Sequence, residues 1–312
     1  MARRTTNKRS ARVAKKKQQL RYSPVGIVVL LLSVVLGAFG IGLRTFPELA
    51  SHLPPEVREL LATAAKYLPD KNSEHVSTSE PSQAAKASLP NTATSFSAAK
   101  RLLYEEIYRD HRITFYCGCR YDKARHVDLE SCGVTPRKNA TRAQRVEAEH
   151  VFPAHQFGNF RACWRDPVKV CGTKMSGREC CEKSDPVFIA AHNDLMNLYP
   201  AVGEVNGDRS NYNWGMIPGE RRDYGRCDIE VDSSIRRAEP PDAVMGDIAR
   251  VMFYMSDTYG FRLSQQDQQL YTAWSRQDPP DAWEIERDRR IKAIQGKGNR
   301  FIENYEVIFG KR

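Results

Sequence analysis

The stretch Val146 to Gly158 reads VEAEHVFPAHQFG. Two carboxylates, Glu147 and Glu149, run directly into His150, and a second imidazole, His155, follows Pro153 and Ala154. An extended backbone alternates its side chains, so Glu147 and Glu149 share one face while His150 turns to the other. If the strand ends at His150, the chain can turn there and let Glu149 and His150 converge on one cavity. That pairing suits metal-assisted hydrolysis, in which the carboxylate holds a hard divalent cation and the neutral imidazole takes a proton from water. Taken alone, the same pattern fits a helix or a surface loop. The rest of the chain has to decide.

The formal net charge of +10 suggests a nucleic-acid partner, but its distribution argues otherwise. Residues 1–24 carry nine Lys or Arg and no acid, whereas from residue 100 onward the net is only +2. The basic tail precedes GIVVLLLSVVLGAFGIGL, residues 26–43, a run of 18 positions without charge. As a helix it would be roughly 27 Å long, enough to span a hydrocarbon core. It is longer than the apolar region of a cleaved signal, and no small-residue cleavage site follows. We read residues 1–24 as a cytoplasmic tail and 25–44 as a transmembrane anchor, with a cleaved signal as the alternative. Positive charge before the span keeps the N-terminus inside and places the rest beyond a bacterial inner membrane.

All eight cysteines (Cys117, Cys119, Cys132, Cys163, Cys171, Cys180, Cys181 and Cys227) lie after the proposed span, as expected of disulfides in an exported domain. The C-x-C and vicinal spacings lack the paired C-x₂-C of a zinc ribbon. Eight cysteines leave the pairing open. Residues 45–94 read as a linker with a short helix at 54–68, and 95–312 as one α+β domain. Within it we expect a helix from Ser95 or Ser97, a strand in RITFYCGCRYD and an extended segment at 144–152. A helix is expected at 186–198, a glycine-containing structural turn at 202–213, and three later helices. These would run Ala243–Tyr259, Ser264–Ser275 and through PDAWEIERDRRIKAIQ.

No phosphate-binding loop, dinucleotide fingerprint, nucleophile elbow or H-E-x-x-H is present. On the 186–198 helix, Asn197 follows Asp194 by three positions and offers an oxygen ligand for Mg²⁺ or Ca²⁺. The alternative is that Asn197 only terminates that helix.

Three segments, AEHVFPAHQFGNFRACW, HNDLMNLYPAVGEVNGDRSN and WEIERDRRIKAIQGKGNRF, resemble in order and spacing the bacterial endonuclease I family. SFSAAK and ITFYCGC resemble that family's opening, so the likeness runs from about residue 95 to 305. It implies an exported, disulfide-stabilised, non-specific nuclease with a ββα-metal finger. On the matching positions it implies His150 as general base and Glu149 and Asn197 as metal ligands. Glu147 would stand one shell out, holding metal-bound water or a neighbouring group. The phosphate-holding arginine of the family has Lys169 as its nearest match, with Arg165 as a second candidate. Lysine lacks the bidentate fork. Arg209 would reach a phosphate or form a structural salt bridge, and His155 stands where relatives carry tryptophan. The implied cofactor is Mg²⁺, with Mn²⁺ or Ca²⁺ in its place. The implied reaction is hydrolysis of DNA, and of RNA, by a monomer without sequence preference, leaving 5′-phosphate and 3′-hydroxyl ends. Rival readings are a catalytically inactive exported DNA-binding or adhesion domain, and a zinc peptidase built from His150, His155 and His192.

Overall fold

A computed structural model describes residues 89–219 and 221–310. The expected span, the helix at 54–68 and the linker as far as residue 88 lie outside the described residues. Among the described residues, no helix is long and apolar enough to cross a membrane.

The first helix, α1 (Phe96–Leu102), begins where the Ser95 hydroxyl accepts the Ala98 N–H. Its Ala99, and Leu103 and Ile107 of the wider turn that follows, are buried. The strand expected in RITFYCGCRYD shrinks to β1 (Arg120–Tyr121), paired antiparallel with β2 (Val127–Asp128). The chain instead turns tightly at Gly118, whose φ of +65° suits glycine and whose N–H donates to Thr114 O. Its neighbours are drawn apart by disulfides, Cys117 to Cys227 and Cys119 to Cys132.

After α2 (Ala140–Ala143) comes the extended segment anticipated above, β3 (Val146–His150). It pairs antiparallel with β4 (Leu198–Val202), Val146 facing Val202 and His150 facing Leu198. Five short helices fill the excursion between them: α3 (Ala154–Gly158), α4 (Ala162–Arg165), α5 (Pro167–Cys171), α6 (Gly177–Ser184) and α7 (Pro186–His192). Disulfides Cys163–Cys181 and Cys171–Cys180 clamp α4, α5 and α6 together. All eight cysteines are therefore paired.

The helix expected over 186–198 stops at His192. The buried Asp194 carboxylate accepts from Met196 N, Tyr254 OH, Tyr259 OH and Gln295 Nε2. Satisfying that carboxylate draws the backbone out of the α-helix into one 3₁₀ turn, Leu195–Asn197, that leads straight into β4. Asn197 is therefore not borne on a helix.

The segment expected as a turn is a helix, α8 (Gly203–Arg209). Its glycines serve close approach rather than unusual dihedrals. A Cβ on Gly203 would lie 2.6 Å from Arg142 O, and one on Gly207 would lie 2.1 Å from Arg142 Nη1. Four residues apart, they make one bare helix face against α2. The local order is thus strand, strand, helix.

Beyond it, β5 (Asn213–Trp214), β6 (Glu230–Asp232) and β7 (Arg237–Glu239) form a small mixed sheet in the order β5-β7-β6. Helices α9 (Met245–Tyr259), α10 (Gln265–Gln277) and α11 (Ala282–Gln295) follow where periodicity expects them, Ser264 and Asp281 capping the last two. Two short turns, α12 (Arg300–Glu303) and α13 (Tyr305–Phe309), end the described chain.

Arg287 on α11 is fully buried. Its Nη2 donates to the carbonyls of Leu195, Met196 and Leu198 at 2.7, 3.2 and 3.0 Å, and its guanidinium lies 3.7 Å from the Tyr199 ring centroid. It fixes the backbone that enters β4. Arg287→Leu should cost about 3 kcal/mol, because three buried carbonyls lose a charged donor. Guanidinium unfolding would show a lower midpoint at unchanged slope, and a midpoint equal to wild type refutes the role.

Candidate active site

A cavity of about 700 Å³ opens where β3, α8 and the start of α6 meet, and Glu147, Glu149, His150 and Asn206 line it. Strand alternation turns Glu147 and Glu149 toward α8. Glu147 receives a two-pronged bond from Arg142, Nε to Oε1 at 2.9 Å and Nη2 to Oε2 at 2.8 Å. Asn206, in the middle of α8, donates its amide to Glu147 Oε2 at 3.0 Å. Glu149 is buried, with Oε1 accepting from Tyr116 OH at 2.8 Å and 2.9 Å from Arg209 Nη1. Burial pushes its carboxyl up, and the Arg209 charge only partly opposes this.

His150 ends β3 on the opposite face, stacked on Phe96 at 5.2 Å and 4.6 Å from the His192 ring. Its Nε2 lies 2.8 Å from His192 O. A carbonyl can only accept, so Nε2 carries the proton and Nδ1 is left as the basic nitrogen. Burial, followed by the neighbouring His192, holds the His150 pKa well below the ordinary imidazole value. Around neutrality it is an uncharged base. Both nitrogens of the ring are accounted for by that one carbonyl bond, which fixes tautomer and orientation together.

Of the other residues singled out from the sequence, the structure brings some here and not others. Asn197 is fully buried and does not line the cavity. Its Oδ1 accepts from Phe152 N at 2.7 Å and its Nδ2 donates to Phe152 O at 3.0 Å, so its amide is committed to the backbone beyond β3. Lys169 and Arg165 are exposed and line no part of the cavity. Arg209 is buried, donating to His150 O at 2.9 Å and Val151 O at 2.5 Å over the Trp214 ring, which is a structural arrangement. His155 and Trp164 meet edge to face at 5.8 Å on the cavity wall. The three histidines of the zinc reading do not gather: among the described residues no group of three His, Cys, Asp or Glu could hold a metal.

The endonuclease I family profile matches residues 85–306. The chain belongs to the endonuclease I family. It is 46% identical over 220 residues to an extracellular deoxyribonuclease of Aeromonas hydrophila, covering 69% of this chain and 92% of that protein. It is 45% identical over 215 residues to a periplasmic deoxyribonuclease of the same organism, covering 68% and 86%. Endonuclease-1 of Buchnera aphidicola subsp. Acyrthosiphon pisum is 38% identical over 214 residues, covering 68% and 81%. The chain is accordingly a nuclease.

Two residues that this endonuclease I chain places in its site escaped the sequence reading. Asn206 sits in GEVNGD, where Asn-Gly suggests a turn; the helical alternative is visible only once Gly203 and Gly207 are seen as a four-residue spacing. Arg178 lies at the start of α6 and lines the cavity as an exposed cation. Two disulfides on the same helix, at Cys180 and Cys181, hold it there. Nothing short of the pairing pattern would have brought Arg178 rather than Lys169 to this wall.

His192 is pushed down to about 4, chiefly by burial and then by Arg178. Because its pKa is lower folded than unfolded, the unfolded chain takes up the proton first and acid favours unfolding. In metal-free buffer the His192 contribution is complete above about pH 6.5 and lost as pH falls through about 4. The wild type should lose on the order of 3 kcal/mol more across that window than His192→Leu. Parallel pH slopes of the two proteins in chemical denaturation would contradict this.

Proposed function

We propose that this chain is a metal-dependent, sequence-indifferent endonuclease that hydrolyses DNA phosphodiesters, and those of RNA, to 5′-phosphate and 3′-hydroxyl ends. One observation carries the reading. A neutral imidazole with its basic nitrogen defined, two carboxylates, a helix-borne amide and an exposed arginine line the same cavity. His150 Nδ1 takes the proton of the attacking water. Arg178 neutralises the phosphate being cleaved, with the planar donor fork that Lys169 lacks. Arg142 orients Glu147, and Tyr116 and Arg209 orient Glu149.

The donor set fits a hard divalent cation. Glu149, Glu147 and the Asn206 carbonyl present only oxygens, and a cation beside Glu149 would relieve the desolvation that raises its carboxyl. Glu149 and Asn206 would hold Mg²⁺, or Mn²⁺ or Ca²⁺ in its place, with Glu147 one shell out. When bound, such an ion supplies Lewis acidity at the phosphate and stabilises the departing oxygen. Asn206 replaces Asn197 in this reading because only Asn206 faces the cavity.

Contacts made to phosphate and sugar carry no sequence information, which supports broad substrate use. Four disulfides, together with relatives named as extracellular or periplasmic, support export of residues 95–312. The charge asymmetry around 26–43 supports retention in the inner membrane by that segment.

Plasmid cleavage tests the chemistry. Wild type should degrade plasmid with Mg²⁺ and stop with EDTA. His150→Ala should lower cleavage about 10²- to 10⁴-fold while DNA binding persists. Asn206→Ala should raise the Mg²⁺ concentration needed for half-maximal rate at least tenfold. Asn197→Ala should instead lower thermal stability and leave the Mg²⁺ requirement of the folded fraction near wild type. An Asn206→Ala enzyme with wild-type Mg²⁺ dependence would overturn the ligand assignment, and EDTA-insensitive cleavage would overturn the metal itself.

A further inference from the structure

A second cavity, a groove of about 580 Å³, is lined by Lys100, Arg101, Arg109, Arg112, Lys123 and Arg125, with Glu105 as the acid on its wall. From residue 100 onward the chain is nearly charge-balanced, at net +2, so this concentration is not a consequence of composition. Local arrangement made it.

One wall is built from an element that also frames the first cavity, and the other is bonded to the strand that carries Glu149 and His150. Helix α1 places Phe96 against His150 and, on the next positions around, places Ser97, Lys100 and Arg101 in the groove. The opposite wall is the turn joining β1 to β2, where Lys123 and Arg125 stand exposed. That turn is tied to the catalytic strand itself: Arg125 O accepts the N–H of Val146, the first residue of β3, at 3.0 Å. The groove therefore runs alongside the site and is held in register with it.

Arg125 adds an independent observation. Its φ of +69° lies in the left-handed region, at a hairpin position that glycine fills without penalty. The side chain sits over the Tyr104 ring, 5.2 Å from its centroid, on the groove wall. A strained arginine where glycine would serve the backbone better points to use of the side chain.

We propose that this groove binds the phosphates of the nucleic-acid strand flanking the scissile bond, as a substrate track outside the catalytic cavity. The proposal rests on the nuclease reading and extends it to substrate length: affinity for long polymers depends on the groove, and turnover of a small diester does not. Phosphate-only contacts along such a track hold the polymer without reading it.

The full chain is assayed in EDTA by fluorescence anisotropy on a 30-base-pair duplex, and with Mg²⁺ on bis(p-nitrophenyl) phosphate. The variant Lys100→Gln/Arg101→Gln/Arg112→Gln/Lys123→Gln should bind the duplex at least tenfold more weakly. Its log Kd against log salt should flatten by about 2 to 4, near 0.9 for each lost phosphate contact. Turnover of the small diester should stay at the wild-type value. The equal-charge control, Arg276→Gln/Lys292→Gln/Lys297→Gln/Arg300→Gln, removes cations that line neither cavity and should lose less than about threefold. Equal losses in the two variants, or an unchanged salt slope, overturn the groove. Arg125→Gly should bind about two- to threefold more weakly with an equal or higher melting midpoint; a lowered midpoint with unchanged binding overturns its part. Duplex binding by wild type without any Mg²⁺-dependent cleavage would sink the nuclease reading and leave the groove standing.

Discussion

The site depends on the pairing of β3 with β4. A two-stranded ribbon is marginal by itself in water and must be propped from outside. Here the props converge at the end that carries His150. Asn197 imitates a strand neighbour for Phe152, using both halves of its amide on one residue's backbone. Arg209 reaches from α8 to the carbonyls of His150 and Val151, and Trp214 adds its indole N–H to the Val151 carbonyl at 3.0 Å. Arg287 does the same for the three carbonyls leading into β4. Most of the hydrogen bonds these buried polar groups make go to the backbone. Their effect is to fix the path of the chain on both sides of the His150 imidazole.

This explains how much of the site could be read from the sequence. The EAEH strand was legible because alternation and the following proline are local properties of the backbone. So were the three C-terminal helices, whose caps and periodicity are also local. Asn197 and Asn206 were not distinguishable in the same way. Both lie near glycine, proline or acid in a polar stretch, and the position of Asn197 is decided by a buried carboxylate, Asp194. Asp194 ends α7 early because two tyrosines and a glutamine from distant helices converge on it. No spacing within residues 186–198 encodes those partners. The resemblance to the endonuclease I family supplied the class of protein, a nuclease, whereas the Asn it singled out, Asn197, is bonded to the Phe152 backbone and does not line the cavity.

The excursion between β3 and β4 shows the same division. None of its five short helices approaches the length at which a helix is stable alone. Two disulfides among three of them add covalent restraint to their packing. The arrangement is permitted only where thiols oxidise, which ties the geometry of Arg178 to the compartment the chain occupies. A cation at a cavity wall and the redox state of its supporting helix are in this sense one constraint.

Burial acts on the two central groups in opposite senses. It lowers the His150 pKa and raises that of Glu149, since in each case desolvation disfavours the charged form. Burial alone therefore leaves a neutral imidazole close to a carboxyl that resists ionising. A divalent ion next to Glu149 favours its carboxylate and further disfavours protonation of the imidazole across the strand. Under the proposal above, both groups would then be held in the forms that general-base hydrolysis uses. The desolvation that disfavours charge on each group is what the proposed ion would offset at Glu149.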